Sequence, residues 1–265
     1  MQKKLLVAAL GTLFAMPVLA EDAPAAAAPA AAPTPAVTSN VALVTNYLYR
    51  GISQTGAKPA IQGGFDYAHA SGFYAGVWGS SISWLSDATI ATNAGLELDT
   101  YLGFKNSFAT DYSYDVGYLR YNYPGNYAAS ATKGDTDEIY GLIGYKWITA
   151  KYSYSLGNTF GAPDARGTNY FDLSASYPVG DSGVTLGAHY GKQSYKGSSA
   201  AYKAFVTAEP SYSDYKLSVT KDFSGYVVGL AYSNTNAKKG VGQFYNVLGK
   251  DLGTGTAVLS VTRTF

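Results

Sequence analysis

The 265-residue chain contains no cysteine, which removes both a disulfide framework and any thiolate metal site. Charge is scarce, with Asp, Glu, Lys and Arg together making up 14% of the residues. Lys and Arg number 19 against 18 Asp and Glu, so the basic footprint of a nucleic-acid partner is missing. Only two histidines are present, His69 and His189, and two isolated histidines make a poor metal site. No GxxxxGK[ST] phosphate cradle occurs, and nothing in the sequence calls for a cofactor. Beyond residue 20 no apolar run is long enough for a membrane helix.

What the chain does have is 25 tyrosines and 30 glycines. It opens with Gln2, Lys3 and Lys4, an apolar stretch over 5–15 and a small-residue site ending at Ala20, which together form a secretory signal peptide over 1–20. Removing it leaves 17 basic residues against 18 acidic. Residues 21–38 are rich in Ala and Pro and cannot bury a core, so they read as an extended periplasmic spacer. The remainder, 39–265, reads as one all-β domain. Without disulfides, this exported domain must be held together by something else.

From residue 40 onward hydrophobicity alternates with period two in segments of about ten residues. Twelve strands are expected, at 40–50, 60–69, 72–84, 94–105, 112–123, 137–146, 148–157, 168–178, 183–193, 212–221, 225–235 and 255–265. Pro59, Pro124, Pro163, Pro178 and Pro210 all fall in loops or at strand ends, where a ladder tolerates proline. Connections after odd strands are long and those after even strands mostly short. An even count, strands of about 9–11 residues and alternating loop lengths are the pattern of a transmembrane antiparallel β-barrel in a bacterial outer membrane.

That reading explains an oddity in NYLYRG, where tyrosines sit on one parity and Asn46 and Arg50 on the other. In a barrel the aromatic parity faces lipid, and the tyrosines near strand ends form interfacial girdles. Tyr47, Tyr49, Tyr152, Tyr154, Tyr226 and Tyr232 are the girdle candidates. The opposite parity carries the expected lumen-lining residues: Arg50, Asp66, Glu97, Asp99, Arg120, Glu138, Lys151, Asp172, His189 and Lys216. Charge on the lipid face is confined to Asp115, Lys221 and Arg263, near strand ends, where long basic chains can snorkel. Facing in 72–84 is ambiguous, because Tyr74, Trp78 and Trp84 share one parity while Phe73 and Val77 share the other.

The motifs NYLYRGISQT, ELDTYLGF, VGYLRYNYPG, DEIYGLIGYKW and YSDYKLSVTKDFSGYVVGLAYSNT resemble the TorF family of outer-membrane porins over residues 39–265. The resemblance implies a barrel with a pore and leaves the solute undefined. The final Phe265, closing an amphipathic strand, resembles the signal by which the barrel-assembly machinery recognises its clients. Expected partners are therefore outer-membrane lipid, that machinery, and small solutes or ions.

Glu97, Asp99, Arg120, Glu138, Asp172 and His189 are expected to form a charged belt in the outer half of the lumen, where rings of charge tune solute preference. The same charges could instead neutralise one another across a filled interior. Two further readings are open. One is a non-conducting barrel binding partners through loops 124–136, 194–211 and 236–254, with Lys238, Lys239, Phe244 and Tyr245 exposed. The other is a barrel lipid hydrolase, which needs a nucleophile, base and orienting group in mutual reach, and neither histidine sits in a recognisable nucleophile motif. A soluble lipocalin-like binder would have eight strands, fewer than are counted here. An enzyme is not expected.

Overall fold

The computed structural model describes residues 36–265; the signal peptide and nearly all of the Ala/Pro spacer lie outside them. Twelve antiparallel strands close into a barrel: β1 Ala36–Val44, β2 Ala60–Ala68, β3 Phe73–Ser81, β4 Leu96–Phe108, β5 Tyr112–Asn122 and β6 Thr136–Tyr145 form one half. The other half is β7 Ile148–Ser155, β8 Asn169–Pro178, β9 Val184–Ser194, β10 Tyr212–Phe223, β11 Tyr226–Thr235 and β12 Thr256–Thr264. Each strand pairs with its sequence neighbours, and β1 pairs with β12, Val41 lying opposite Arg263. Phe265 extends this closure, exchanging backbone hydrogen bonds with Ser39 at 2.7 and 3.0 Å. Strand β1 begins at Ala36, so Ala36, Val37 and Thr38, assigned above to the spacer, are paired strand residues.

The strands form because their sequences alternate, and the barrel turns that alternation into an apolar outside and a polar inside. Leu43 and Leu217 on the outer face are 61% and 67% exposed, whereas Ser153 and Ser155 on the inner face are 1% and 0%. No helix among the described residues is long and apolar enough to cross a membrane. Long connections (45–59, 82–95, 123–135, 156–168, 195–211, 236–255) alternate with short turns. The Ser224-Gly225 turn shows the local chemistry: both residues have positive φ, 55° and 89°, as the tightest hairpins require. Strand β3 ends at Ser81, and Trp84 belongs to a short helix, α1, over Trp84–Asp87. Within β3, Tyr74, Trp78 and Ser80 face inward and Phe73 faces out, which fixes the ambiguous facing.

The glycine and tyrosine excess has a structural explanation. Tyr74 lies opposite Gly103, Gly76 opposite Tyr101, and Gly117 opposite Tyr140, all on inward parity. Each ring lies across the bare backbone of its partner: a Cβ on Gly76 would sit 2.5 Å from the Tyr101 ring, and one on Gly117 2.6 Å from that of Tyr140. Large rings thus pack against the wall without disulfides, and Tyr101 and Tyr140 also lean on a buried apolar cluster around Tyr47, Trp78 and Leu85. Gly117→Ala should overpack this contact and cost about 1–3 kcal/mol. It is expected to lower the temperature at which the barrel loses its compact form in heat-modifiable gel mobility, and an unchanged temperature would contradict the packing.

Candidate functional site: a hairpin finger across the lumen

After β1 the chain does not run outward. Leu48–Tyr49 pairs with Ile52–Ser53 in a minimal hairpin whose two turn residues are Arg50 and Gly51. Both have positive φ, 47° and 76°, the conformation of the tightest hairpin turns. An arginine in this region costs about 1–2 kcal/mol relative to a right-handed conformation, and in return it stands at the fingertip. The finger is tied internally by Ser53 Oγ donating to Asn46 Oδ1 at 2.7 Å and by Gln54 N donating to Tyr47 O at 2.8 Å.

The fingertip reaches the far side of the barrel. Arg50 Nη2 donates to Glu138 Oε2 at 2.9 Å and Nη1 to Glu138 Oε1 at 3.2 Å, and Nη1 also donates to Gln193 Oε1 at 2.8 Å. The guanidinium carbon lies 4.3 Å from the Tyr170 ring centre and 4.8 Å from that of Tyr49. Arg50 and Glu138 are each 1% exposed. Glu138 stands on β6, five strands round from β1, and Gln193 on β9, so the finger crosses the lumen. Gly51 presses on the wall beyond: a Cβ there would meet Asp214 Cβ at 2.8 Å and Thr235 Cγ2 at 2.6 Å.

Two girdle expectations are overturned here. Tyr47 is 2% exposed, its hydroxyl donating to Glu97 Oε1 at 2.8 Å and its ring packing edge-on to Trp78. Tyr49 is half-buried, and its hydroxyl donates to that of Tyr121 at 2.8 Å. Both belong to the finger, because β1 stops at Val44 and the alternation beyond it serves the hairpin. Arg120 is a third correction. It faces outward on β5, 39% exposed, and its Nη1 donates to both carboxylate oxygens of its register partner Asp137 at 2.9 Å. Asp115, expected on the lipid face, is buried inward and accepts from Tyr74 Oη at 2.7 Å. In β5 aromatics occupy both parities, so the strand's facing cannot be read from them alone.

The other candidates on inward parity gather in groups. Glu97 and Asp99 lie side by side on β4 near the long-loop end, and the Tyr47 hydroxyl bonds to Glu97. Asp66 on β2 accepts from the Tyr101 hydroxyl. Lys151 on β7 lies over the Tyr140 ring at 4.0 Å. His189 on β9 is held between two carboxylates, with Nε2 2.8 Å from Asp214 and Nδ1 3.2 Å from Asp172. Lys216 lies opposite His189 on β10. Asp214 and Tyr170 were not singled out in the sequence, although both sit on inward parity in their strands; Tyr170 Oη joins Asp214 at 3.0 Å. Tyr152, Tyr226 and Tyr232 stand outward, about half exposed, and Tyr154 shares the outward parity. Phe265 is 70% exposed. His69 lies in the short turn after β2, 2.7 Å from Ser71 Oγ. No group of metal-ligating side chains occurs among the described residues.

At the long-loop end, the 195–211 and 236–255 connections frame an open cleft of about 730 Å³ lined by Tyr195, Tyr202, Glu209, Lys238 and Gln243. Phe244 and Tyr245 pack on one another and on Tyr195 and Tyr212. Burial pushes the Tyr245 hydroxyl well above its usual range, and it donates to Pro210 O at 2.7 Å. Nearby, Asp251 accepts from Asn246 Nδ2 at 2.6 Å and Gly240 N at 2.8 Å, which holds its carboxyl below the usual range.

A family model described as a bacterial protein of unknown function (Gcw_chp) matches residues 27–265. The chain belongs to the Gcw_chp family. The match begins inside the Ala/Pro tract rather than at residue 39. No curated protein matches the chain by sequence. Among solved structures it is similar to OccAB3 of Acinetobacter baumannii, with 12% identity over 84% of this chain and a TM-score of 0.43, and to the toluene transporter TodX of Pseudomonas putida, with 11% over 86% and 0.42. The outer membrane protein OprD of Pseudomonas aeruginosa gives 14% over 78% and 0.38. The chain spans 59% of OccAB3, 89% of TodX and 59% of OprD.

Breaking a buried ion pair by removing one partner costs about 3–5 kcal/mol. Arg50→Ala and Glu138→Gln should each destabilise the barrel by about that much in urea unfolding, and the double variant by clearly less than the sum; additive losses would mean the pair is not coupled. In an NMR titration the Asp251 carboxyl should titrate below the ordinary aspartate range. Because its folded pKa is lowered, its support for the 246–251 hairpin is present at neutral pH and lost as pH falls through that value.

Proposed function

We propose that this Gcw_chp protein is an outer-membrane channel of the porin type expected from its resemblance to the TorF family, narrowed by the hairpin finger. One observation carries the reading: a closed barrel with an apolar outer face holds an interior lined with ionisable side chains, crossed by a segment of its own chain. Glu97, Asp99, Glu138, Lys151, Asp172 and Asp214 all lie inside, a density of ionisable groups that suits contact with polar solutes better than an apolar filling would. A charged, constricted lumen suits the passive passage of ions or small hydrophilic solutes. Export through the signal peptide, docking of Phe265 by the barrel-assembly machinery, and a lipid belt bounded by Tyr152, Tyr154, Tyr226 and Tyr232 belong to the same proposal.

Catalysis is a poorer fit. Ser174 Oγ lies 3.0 Å from His189 Nδ1, but it also donates to Asp172 at 2.6 Å. Both ring nitrogens of His189 are already engaged by carboxylate oxygens, at 2.8 and 3.2 Å, so neither is directed at an open position from which to take a substrate proton. Recording the purified barrel in a planar bilayer tests the reading. Small, reproducible conductance steps are expected from the wild type and larger ones from Arg50→Ala. Glu97→Gln combined with Asp99→Asn should lower the preference for cations. Silence in both wild type and Arg50→Ala would favour a binding role for the cleft at the long-loop end.

A further inference from the structure

The surface on which the fingertip lands has a chemical identity of its own. Glu138 on β6 presents both carboxylate oxygens to the two terminal nitrogens of Arg50, Gln193 on β9 adds an amide oxygen, and the Tyr170 ring on β8 lies beneath. None of these three belongs to the finger. A forked carboxylate, a further acceptor and an aromatic face are together the complement of a planar cation bearing several N–H donors. A compact ammonium could use the charge but not the fork or the stacking face. The electrostatics beyond agree, because the Tyr170 hydroxyl leads directly to Asp214, and through His189 to Asp172.

We propose that Glu138, Gln193 and Tyr170 form a guanidinium-binding site that the chain fills with its own Arg50, and that solutes carrying a guanidinium group compete for it. This rests on the channel reading for its physiological meaning. A solute that takes the place of Arg50 removes the fingertip's main anchor and opens the route it is itself to follow. The finger is then a resident mimic of the permeant solute, and the wall site is what distinguishes guanidinium solutes from other cations. The cost of the left-handed arginine and of burying the pair is consistent with a contact built to be exchanged.

The test uses a feature of the finger's sequence. Within 45–59 the only basic residues are Arg50 and Lys58, and Lys58 precedes Pro59, so Arg50-Gly51 is the one bond open to trypsin. While Arg50 is docked that bond is shielded. Wild-type barrel in liposomes is treated with trypsin in matched millimolar guanidinium chloride or methylammonium chloride, with rates normalised to an unfolded reference peptide. Guanidinium should accelerate cleavage at Arg50-Gly51 about tenfold more than methylammonium, the ratio expected from one additional charge-assisted hydrogen bond. Equal acceleration, or none, would overturn the proposal.

A second arm measures saturable guanidinium binding to Arg50→Ala, in which the site is vacated, and to Arg50→Ala with Glu138→Gln. Binding is expected in the first and lost in the second; binding indifferent to Glu138 would also overturn the site. The two readings separate in the bilayer. A barrel that binds guanidinium as described but passes no current keeps the site and refutes the channel, whereas one that conducts with no response to guanidinium does the reverse.

Discussion

The placement of the hairpin finger inside this barrel depends on one buried ion pair, Arg50 with Glu138. It joins a turn that follows the first strand to a wall five strands away, and it does so with both partners 1% exposed. A pair of this kind is weak evidence for stability, because its attraction is largely offset by the loss of hydration. Its value lies in specification. Only one placement of the finger satisfies the fork of Glu138 and the Gln193 amide, and only there does the guanidinium meet the Tyr170 ring. Tyr47 on Glu97 and Tyr49 on Tyr121 then follow as further holds on the same segment.

The wall that receives the finger is stiffened by different means. Flat tyrosine rings across glycines bring strands β3 to β6 into side-chain contact inside the barrel, and their hydroxyls end on carboxylates: Tyr101 on Asp66, Tyr74 on Asp115. Lys151 over Tyr140 adds a cation to the same layer. The finger leans on this layer, because Tyr101 and Tyr140 pack into the same hydrophobic cluster as Tyr47, Leu48 and Tyr49.

Much of the fold was legible in the sequence because a barrel writes its geometry as period two. The twelve strands, the loop alternation and the inward parity of Glu97, Asp99, Glu138, Lys151, Asp172 and His189 all follow from it. The finger was not legible, since a loop that folds back inside obeys contacts from β6 and β9 rather than any local period. Tyr47 and Tyr49 continue the parity of β1 for a few residues and so read as girdle. Arg120 was misread because Tyr112, Tyr114 and Tyr118 occupy one face of β5 and Leu119 and Tyr121 the other. The usable signal was across the ladder: Arg120 and Asp137 share a register position, and a charge pair is more economical on a common face than split across the wall.

That outward pair also fixes the depth of the finger. On the outer face of β6, Ile139 and Ile143 are about half exposed, and the apolar run ends at Asp137 with its partner Arg120. An arginine facing hydrocarbon near the midplane would cost about 2–4 kcal/mol, a cost that falls to about 0–1 kcal/mol toward an interface, so the Arg120–Asp137 pair suits the long-loop half of the outer face better than its middle. Glu138 is the next residue on the same strand, roughly 3.3 Å further along the chain and pointing inward. The Arg50–Glu138 contact therefore lies near the long-loop end of the barrel rather than at its middle. A finger released there would enter water directly without dragging its charge past lipid, which is the placement a constriction needs if it is to move at all.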